Sequence, residues 1–492
     1  MSIPNRSIHI LIPILIIFIG NCAYFNTYYN AKEYFGEAEN LRLQKDGQPV
    51  PISAIEKYGK AVEKCQKVLK DFPQSKYVID AMLLMGKSRY YRSDFDLAIN
   101  DLNLVNKTGT LEQSEEALYW KALCKWKKGN TQGGFNELGK LLEGSKNNYI
   151  KAKCHLSLAE ISTEMKEADQ TLFHLQNAAK LTKVRSEKDV IYSRLADIAY
   201  NKEEYDLAIE GYDNVIANSL SKDKIENAHL QILKIYRIQK KYKTAEKKIK
   251  GMLVDDKFLN ISGNLELELV QLYKAQGEKD DIEPRLESIV NDYQRTSVSA
   301  EAYFQLGQIY SSEKWNLDKA KEYYDMVPKE FNRSLFSPIA KNFSNAIILY
   351  QNAESDLNLY ATNVQNEIDI TVESKTDSSI STFTSNSLPE RTIPELYYQI
   401  ADLEAFNFKR YDEAIFLLNK IINEYPNSNF KVKSMFALAY IYDIISDSAS
   451  AKKLREYILT DYPETDYAVY LNNGIKSEII GHKSLFIEAE NQ

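Results

Sequence analysis

The most regular feature of the apolar pattern is a short motif in which an aromatic residue stands three positions before a small one. It occurs as SDFDLAI around Ala98, EEYDLAI around Ala208, KKYKTAE around Ala245 and KRYDEAI around Ala414. Twelve positions before the small residue there is usually another: Gly86 before Ala98, Ala122 before Gly134, Ala159 before Thr171, Ala196 before Ala208 and Ala439 before Ala451. This spacing predicts two helices joined by a short turn, crossing closely where the small residues meet. A larger side chain there would force the helices apart at about 1 to 3 kcal/mol. Aromatic residues such as Tyr205 and Tyr411 are expected to fill the seam.

The helix pair repeats. Steps of 37, 36, 37, 37 and 37 residues lead from Ala61 through Ala98, Gly134, Thr171 and Ala208 to Ala245. Glu283 and Ala320 continue the series after 38 and 37, and Ala414 to Ala451 is again 37. DFPQS at 71–75, EYPNS at 424–428 and DYPET at 461–465 punctuate it, because proline disfavours helical geometry in the residue before it and the following Ser or Thr can cap the next helix. One interval is irregular: Ala320 to Ala414 is 94 residues, 20 more than two periods. The surplus matches TVESKTDSSISTFTSNSLPE at 371–390, which is too poor in large apolar residues to offset its chain entropy. Before it, Ser337-Pro338 reads as the start of a long helix reaching about Val364.

Paired small positions, the aromatic before the second, and a proline twelve places after it (Pro73, Pro426 and Pro463) resemble the tetratricopeptide repeat. The resemblance implies an all-α fold, a right-handed superhelical solenoid of helix-turn-helix units with a period near 37 residues. The expected organisation is a signal peptide over 1–21, a lipidated segment and first helix over 22–53, and the repeat array over 54–365. A disordered Ser/Thr-rich insertion over 366–392, a C-terminal repeat pair over 393–472 and a tail over 473–492 follow. Low Gly (18) and Pro (12) agree with long helices.

The N-terminus has a different character. The apolar run Ile10 to Ile19 is too short for the roughly 20 residues of a membrane-spanning helix, but with Arg6 before it and Gly20 after it has the order of an export signal. Ile19, Gly20, Asn21 and Cys22 resemble the lipobox of bacterial lipoproteins, which implies that Cys22 becomes a lipidated N-terminus. An uncleaved anchor, or an ordinary signal peptide with an unmodified Cys22, are the alternatives. Cys65, Cys124 and Cys154 remain, with no metal-ligand spacing, and are expected to be free and buried.

A net charge of −7 argues against a nucleic-acid surface. The five histidines form no HExxH-like pair, and neither GxSxG nor GxxxxGK[ST] occurs. His155 and His174 share a unit and are read as core or solvated residues. The expectation is therefore a non-enzymatic protein with no metal, cofactor or small-molecule substrate. Binding would fall to the first helices of the units, which line the concave side of a stacked array. Four positions after the first small residue stand Tyr90, Trp126, Thr163, Tyr200 and Arg237, with Tyr91, Tyr119, Lys87 and Lys234 beside them. Tyr90, Tyr91, Tyr119, Trp126, Tyr200 and Arg237 are the candidate partner-binding residues, since aromatic and Arg side chains commonly anchor interfaces. At the carboxylate-clamp position Lys87 is followed by Leu123, Glu160 and Asp197, which argues against a chaperone-tail receptor.

FPQSKYVIDAMLLMGKSRYY at 72–91, together with the lipobox-like start, resembles the BamD-type lipoproteins of the outer-membrane β-barrel assembly machinery. That implies a lipid-anchored scaffold on the periplasmic face of the outer membrane, with β-barrel assembly components or clients as protein partners. A general envelope or cell-division scaffold is an alternative, and SusD-like glycan-binding lipoproteins are another. The latter need irregular loops with aromatic platforms, against which stand three tryptophans and a nearly unbroken register.

Overall fold

A computed structural model of the chain describes residues 8–44, 49–373 and 389–473, with side chains from residue 26 onward and not between 363 and 388. Among the described residues the fold is all-α: 22 α-helices, three short 3-10 or π segments and no strand. The chain divides into two compact units, 1–240 and 241–492, so the array expected over 54–365 is shared between them.

Unit 1 holds α1 (Ile8–Leu43), α2 (Ile52–Asp71), α3 (Val78–Tyr91), α4 (Phe95–Thr108), α5 (Leu111–Lys127) and α6 (Thr131–Gly144). It continues with α7 (Asn148–Glu164), α8 (Ala168–Leu181), α9 (Arg185–Asn201), α10 (Tyr205–Asn218) and α11 (Lys222–Ile238). Each helix packs on its chain neighbour, and the leading helices of successive pairs also touch, α1 on α3, α3 on α5 and α5 on α7. The residues that make this possible are buried in helical spacing: Ala98, Leu102 and Val105 on α4, and Ala208, Tyr212 and Val215 on α10. At Gly86 an added Cβ would meet the Leu102 side chain at 2.8 Å, and at Gly211 the Ala196 Cβ at 2.8 Å, which accounts for the small residues at the crossings. Cys65, Cys124 and Cys154 are buried and unbridged.

The turn from leading to trailing helix is one structure used repeatedly. The residue five places before the trailing small position has positive φ: Ser93 (64°), Gly129 (93°), Lys166 (61°) and Glu203 (62°) in unit 1, and Ser446 (65°) in unit 2. Backbone bonds from Ser93 N to Tyr90 O and from Asp94 N to Arg89 O close the end of α3, and the same pair recurs at Lys166–Glu167 and Glu203–Glu204.

Unit 2 holds α12 (Tyr242–Leu253), α13 (Ser262–Gln276), α14 (Ile282–Asp292), α15 (Ser297–Gln308), α16 (Leu317–Glu330) and α17 (Phe336–Glu373). After the undescribed residues come α18 (Ile393–Asp402), α19 (Tyr411–Glu424), α20 (Phe430–Ile444), α21 (Ser448–Asp461) and α22 (Asp466–Asn473). The register expected at Glu283 falls on its neighbour: Ile282 is buried, whereas Glu283 is half-buried and bonded to the Tyr310 hydroxyl and Lys314. α17 runs past Val364 to Glu373, into the segment expected to be an insertion, and residues 374–388 of that expectation lie outside the described residues.

Two helix pairs of unit 2 depart from the 12-residue spacing. Gly307 and Ala320, and likewise Ala401 and Ala414, are 13 apart, and all four are closely packed or buried. The extra residue is taken up as a π turn at the end of the leading helix, Ile309–Glu313 after α15 and Leu403–Asn407 after α18. Trp315 and Lys409 then occupy the positive-φ place, at 47° and 58°.

Candidate protein-binding surface

The leading helices α1, α3, α5 and α7 of unit 1 bring together an aromatic cluster. Tyr58 of α2 stacks on Tyr91 with ring centroids 4.9 Å apart, and Phe35 meets Tyr58 edge-on at 5.5 Å. Tyr90 and Tyr91 each meet Trp120 edge-on, at 5.2 and 5.6 Å, and Tyr119 meets Trp120 at 5.6 Å. Such offset and edge-on pairs stabilise beyond the area they bury. Burial raises the hydroxyl pKa of Tyr90, Tyr91 and Tyr119, so all three are neutral donors.

Charged groups rim the cluster. Lys87 Nζ donates to Glu116 Oε1 at 2.9 Å and lies 5.7 Å from the Trp120 ring. Lys153 Nζ lies 5.3 Å from the Tyr119 ring and 4.7 Å from that of Tyr149, and the Arg42 guanidinium sits 4.8 Å over Tyr91. Burial pushes the Glu116 carboxyl up, but Lys87, Lys153 and the Trp120 Nε1 bond outweigh it, leaving its pKa below the usual range. The face thus offers fixed positive and negative groups beside half-buried tyrosines.

The sequence-derived residues divide accordingly. Tyr90, Tyr91 and Tyr119 meet in one cluster, which also contains Trp120 and Tyr58, two residues the spacing argument missed. Trp126 does not join it. It is 4% exposed, with Nε1 donating to Glu164 Oε2 of α7 at 2.8 Å, so its place four after the small residue faces the next leading helix. Tyr119 is 8% exposed and bonded at 3.0 Å to the Ser157 hydroxyl of α7. The expectation of a row of binding rings along the groove is therefore corrected: Trp126 and Tyr119 join neighbouring helix pairs within unit 1. Tyr200 is half-buried against Tyr205, and Arg237 is half-buried near the end of α11. The Cys22 side chain lies outside the described residues.

His155 and His174 are buried with their Nδ1 atoms 3.0 Å apart, and burial, with His174 beside it, lowers the His155 pKa to about 4. Among the described residues no group of three or more His, Cys, Asp or Glu side chains could hold a metal ion. Unit 2 has a cavity of about 740 Å³ beside the first π turn, lined by Lys274, Gln305, Ser311, Glu283, Lys314 and Tyr324 among others. Lys274 Nζ donates to Gln305 Oε1 there at 2.6 Å, and burial lowers its pKa.

Residues 395–428, the helix pair α18–α19, match the tetratricopeptide repeat family. Residues 121–305 match the family described as suppressor of spindle checkpoint defect 1 C-terminal domain. No curated protein matches the chain. Among solved structures, the C-terminal part of a tetratricopeptide repeat-containing protein from Cytophaga hutchinsonii is similar at 11% identity, covering 62% of this chain and 98% of that one, with a TM-score of 0.36. A tetratricopeptide repeat protein from Parabacteroides merdae is similar at 10% identity over 65% of this chain and 99% of that one, TM-score 0.26. The apo quorum sensor NprR from B. thuringiensis is similar at 16% identity over 66% and 94%, TM-score 0.29.

Proposed function

We propose that this tetratricopeptide-repeat chain is a non-enzymatic scaffold that holds partner proteins on the leading-helix face of unit 1. The observation that carries this reading is the surface on α3, α5 and α7 where Tyr90 and Tyr91 are flanked by Lys87, Glu116 and Lys153. Aromatic edges beside fixed charges suit a polypeptide, whose backbone can bond to Tyr hydroxyls and whose side chains can pair with the Lys and Glu rim. A glycan platform would need open ring faces, and here Tyr58 and Tyr91 cover one another while Trp120 takes the edges of its neighbours. Cys22 is proposed as the lipidated N-terminus, placing the scaffold on the periplasmic face of the outer membrane. Outer-membrane protein assembly is the process that the stretch at 72–91 favours.

Charge removal tests the surface while leaving its aromatic side chains in place. A photo-crosslinking residue at Glu160, exposed on α7, should capture a specific partner in intact cells. Lys87→Gln with Lys153→Gln should lower that capture about tenfold or more; because the Lys87–Glu116 pair is half-buried, circular dichroism should first show the variant's helical content unchanged at the assay temperature. Undiminished capture in the folded double variant would place the interface elsewhere.

A further inference from the structure

The two edges of unit 1 differ in a way the binding face does not explain. At one edge, leading helices turn into trailing ones, and polar partners there tie neighbouring repeats together: Lys128 with Asp96, Lys202 with Asp169, and Gln239 Nε2 with Asp206 Oδ1 at 3.3 Å. At the other, trailing helices connect to the next leading helix. That edge is also continuous, since Gln113 of α5 bonds Asp80 of α3 at 2.6 Å, and Arg185 of α9 bonds the backbone oxygens of Ala217 and Asn218 at the end of α10.

On this second edge, four successive connections each expose a large apolar side chain: Leu111 (78%), Tyr149 (58%), Val184 (50%) and Leu220 (79%). Beside each is an exposed lysine, Lys107, Lys146, Lys183 and Lys222, the last 3.5 Å from Glu226, and Lys76 stands at the connection before them; Glu112, Glu143, Glu187 and Asp223 are exposed at the same connections, which Arg185, Lys188 and Lys224 offset. The opposite edge is less regular: Leu43 (56%), Ile52 (77%), Met165 (41%) and Ile238 (41%) are exposed there, but its turns at 92–94, 128–130 and 202–204 hold no large apolar side chain. An apolar tip with a cation next to it, repeated at the interval of the helix pairs, matches the layering of a phospholipid surface, where acyl chain lies beneath phosphate.

The N-terminal segment meets the same edge. The Tyr28 ring of α1 stacks on Tyr77, at the start of α3, with centroids 5.0 Å apart. Cys22 lies six residues earlier on the same helix, about 9 Å along its axis at the usual rise per residue. We propose that this edge of unit 1 lies on a phospholipid headgroup surface, with Leu111, Tyr149, Val184 and Leu220 dipping below the phosphates and the neighbouring lysines pairing with them. The proposal rests on the lipid-anchor reading for its orientation: an acyl group on Cys22 would hold the edge within reach of the bilayer. Unit 1 is thereby presented edge-on, its partner-binding face perpendicular to the membrane and open from the side.

The test uses the mature chain from residue 22, either acylated or as Cys22→Ser, floated with vesicles of phosphatidylethanolamine and phosphatidylglycerol. An environment-sensitive fluorophore is placed at Val184→Cys or, on the opposite edge, at Glu203→Cys. The native Cys65, Cys124 and Cys154 stay unlabelled because they are buried, with thiols pushed up to about 12. Brominated lipid should quench the 184 label and leave the 203 label unaffected. Flotation of the Cys22→Ser chain should fall about tenfold or more in Leu111→Ser/Tyr149→Ser/Val184→Ser/Leu220→Ser, and also at high salt. Absence of flotation by the folded Cys22→Ser chain, or equal quenching at both edges, would overturn the proposal. An acylated chain that floats with the 184 label unquenched would refute the edge and leave the anchor standing. A Cys22→Ser chain that floats with 184 quenched, while native Cys22 carries no lipid, would refute the anchor and leave the edge standing. A 184 label shielded from bromolipid and cross-linked to an envelope protein would assign the edge to a protein instead.

Discussion

Glu203 sits at φ 62°, in left-handed geometry that costs a residue with a Cβ about 1 kcal/mol. Its amide still bonds the Tyr200 carbonyl and that of Glu204 bonds Ala199, so the turn is held by backbone bonds and the side chain contributes only strain. Glu203→Gly is therefore expected to raise stability by up to about 1 kcal/mol, and Gly129→Ala, at φ 93°, to lower it by a similar amount. Urea unfolding of the two variants beside the parent reads both signs. The turn's position was legible, because it always lies five residues before a small one. Its handedness was not, because Ser93, Gly129, Lys166, Glu203 and Ser446 are of four different types, only one of them glycine, and the conformation is imposed by how the two helices pack.

At the scale of the element, the π turn after α18 gathers groups that a plain helical end would have left in water. Glu404, in that turn, is 2% exposed, accepts a 2.9 Å bond from the Tyr350 hydroxyl and lies 3.4 Å from the Arg410 guanidinium. Burial raises its pKa to about 7, the Tyr350 bond and Arg410 pull against that, and Glu413 and Glu354 add to it. Asp402, just before the turn, is likewise raised by burial to about 6. The native state therefore holds these protons more tightly than the unfolded chain does. Their contribution is fully present below the unfolded carboxyl range near pH 4, and is lost as pH rises through about 6 to 7. Glu404→Gln should remove most of this, so that above pH 7 the variant's C-terminal helices are more stable than the parent's, by up to about 3 kcal/mol, with little difference near pH 5. Hydrogen exchange of α18 and α19 against pH measures it, and an unchanged profile would show that Glu404 is ionised in the native state throughout. The 13-residue spacing that creates the turn can be read from Ala401 and Ala414 directly. What the sequence does not reveal is that the surplus residue goes into the helix rather than the connecting turn, a choice set by the packing of Trp315, Tyr350 and Phe408 against one another.

For the molecule as a whole, the repeat was the easy part to read and the surface the hard part. Small residues report where two helices of one pair cross, a local relation that spacing captures. Trp120 and Tyr58 join Tyr90 and Tyr91 across different pairs, and that depends on how far one pair is rotated on the next, which no short-range pattern encodes. Trp126 was misplaced for the same reason. The proposed lipid anchor is a whole-molecule property with a simple count attached. Native protein isolated from cells should show no fast-reacting thiol if Cys22 is acylated, because Cys65, Cys124 and Cys154 are buried. After unfolding, three thiols should titrate if Cys22 carries lipid, and the intact mass should include the acyl groups. A fourth thiol would mean that Cys22 is unmodified.

The π turns also bear on how an array of this kind survives copying errors. One codon gained inside an ordinary helix swings everything downstream by about 100° and turns the buried stripe toward water. Gained at the far end of a leading helix, it is absorbed within the five residues of Ile309–Glu313 or Leu403–Asn407, and the following helix presents its small residue in its accustomed place. Such ends are joints where heredity can be untidy: lengths drift by one without the fault spreading, and helix pairs of unequal size persist side by side in one gene.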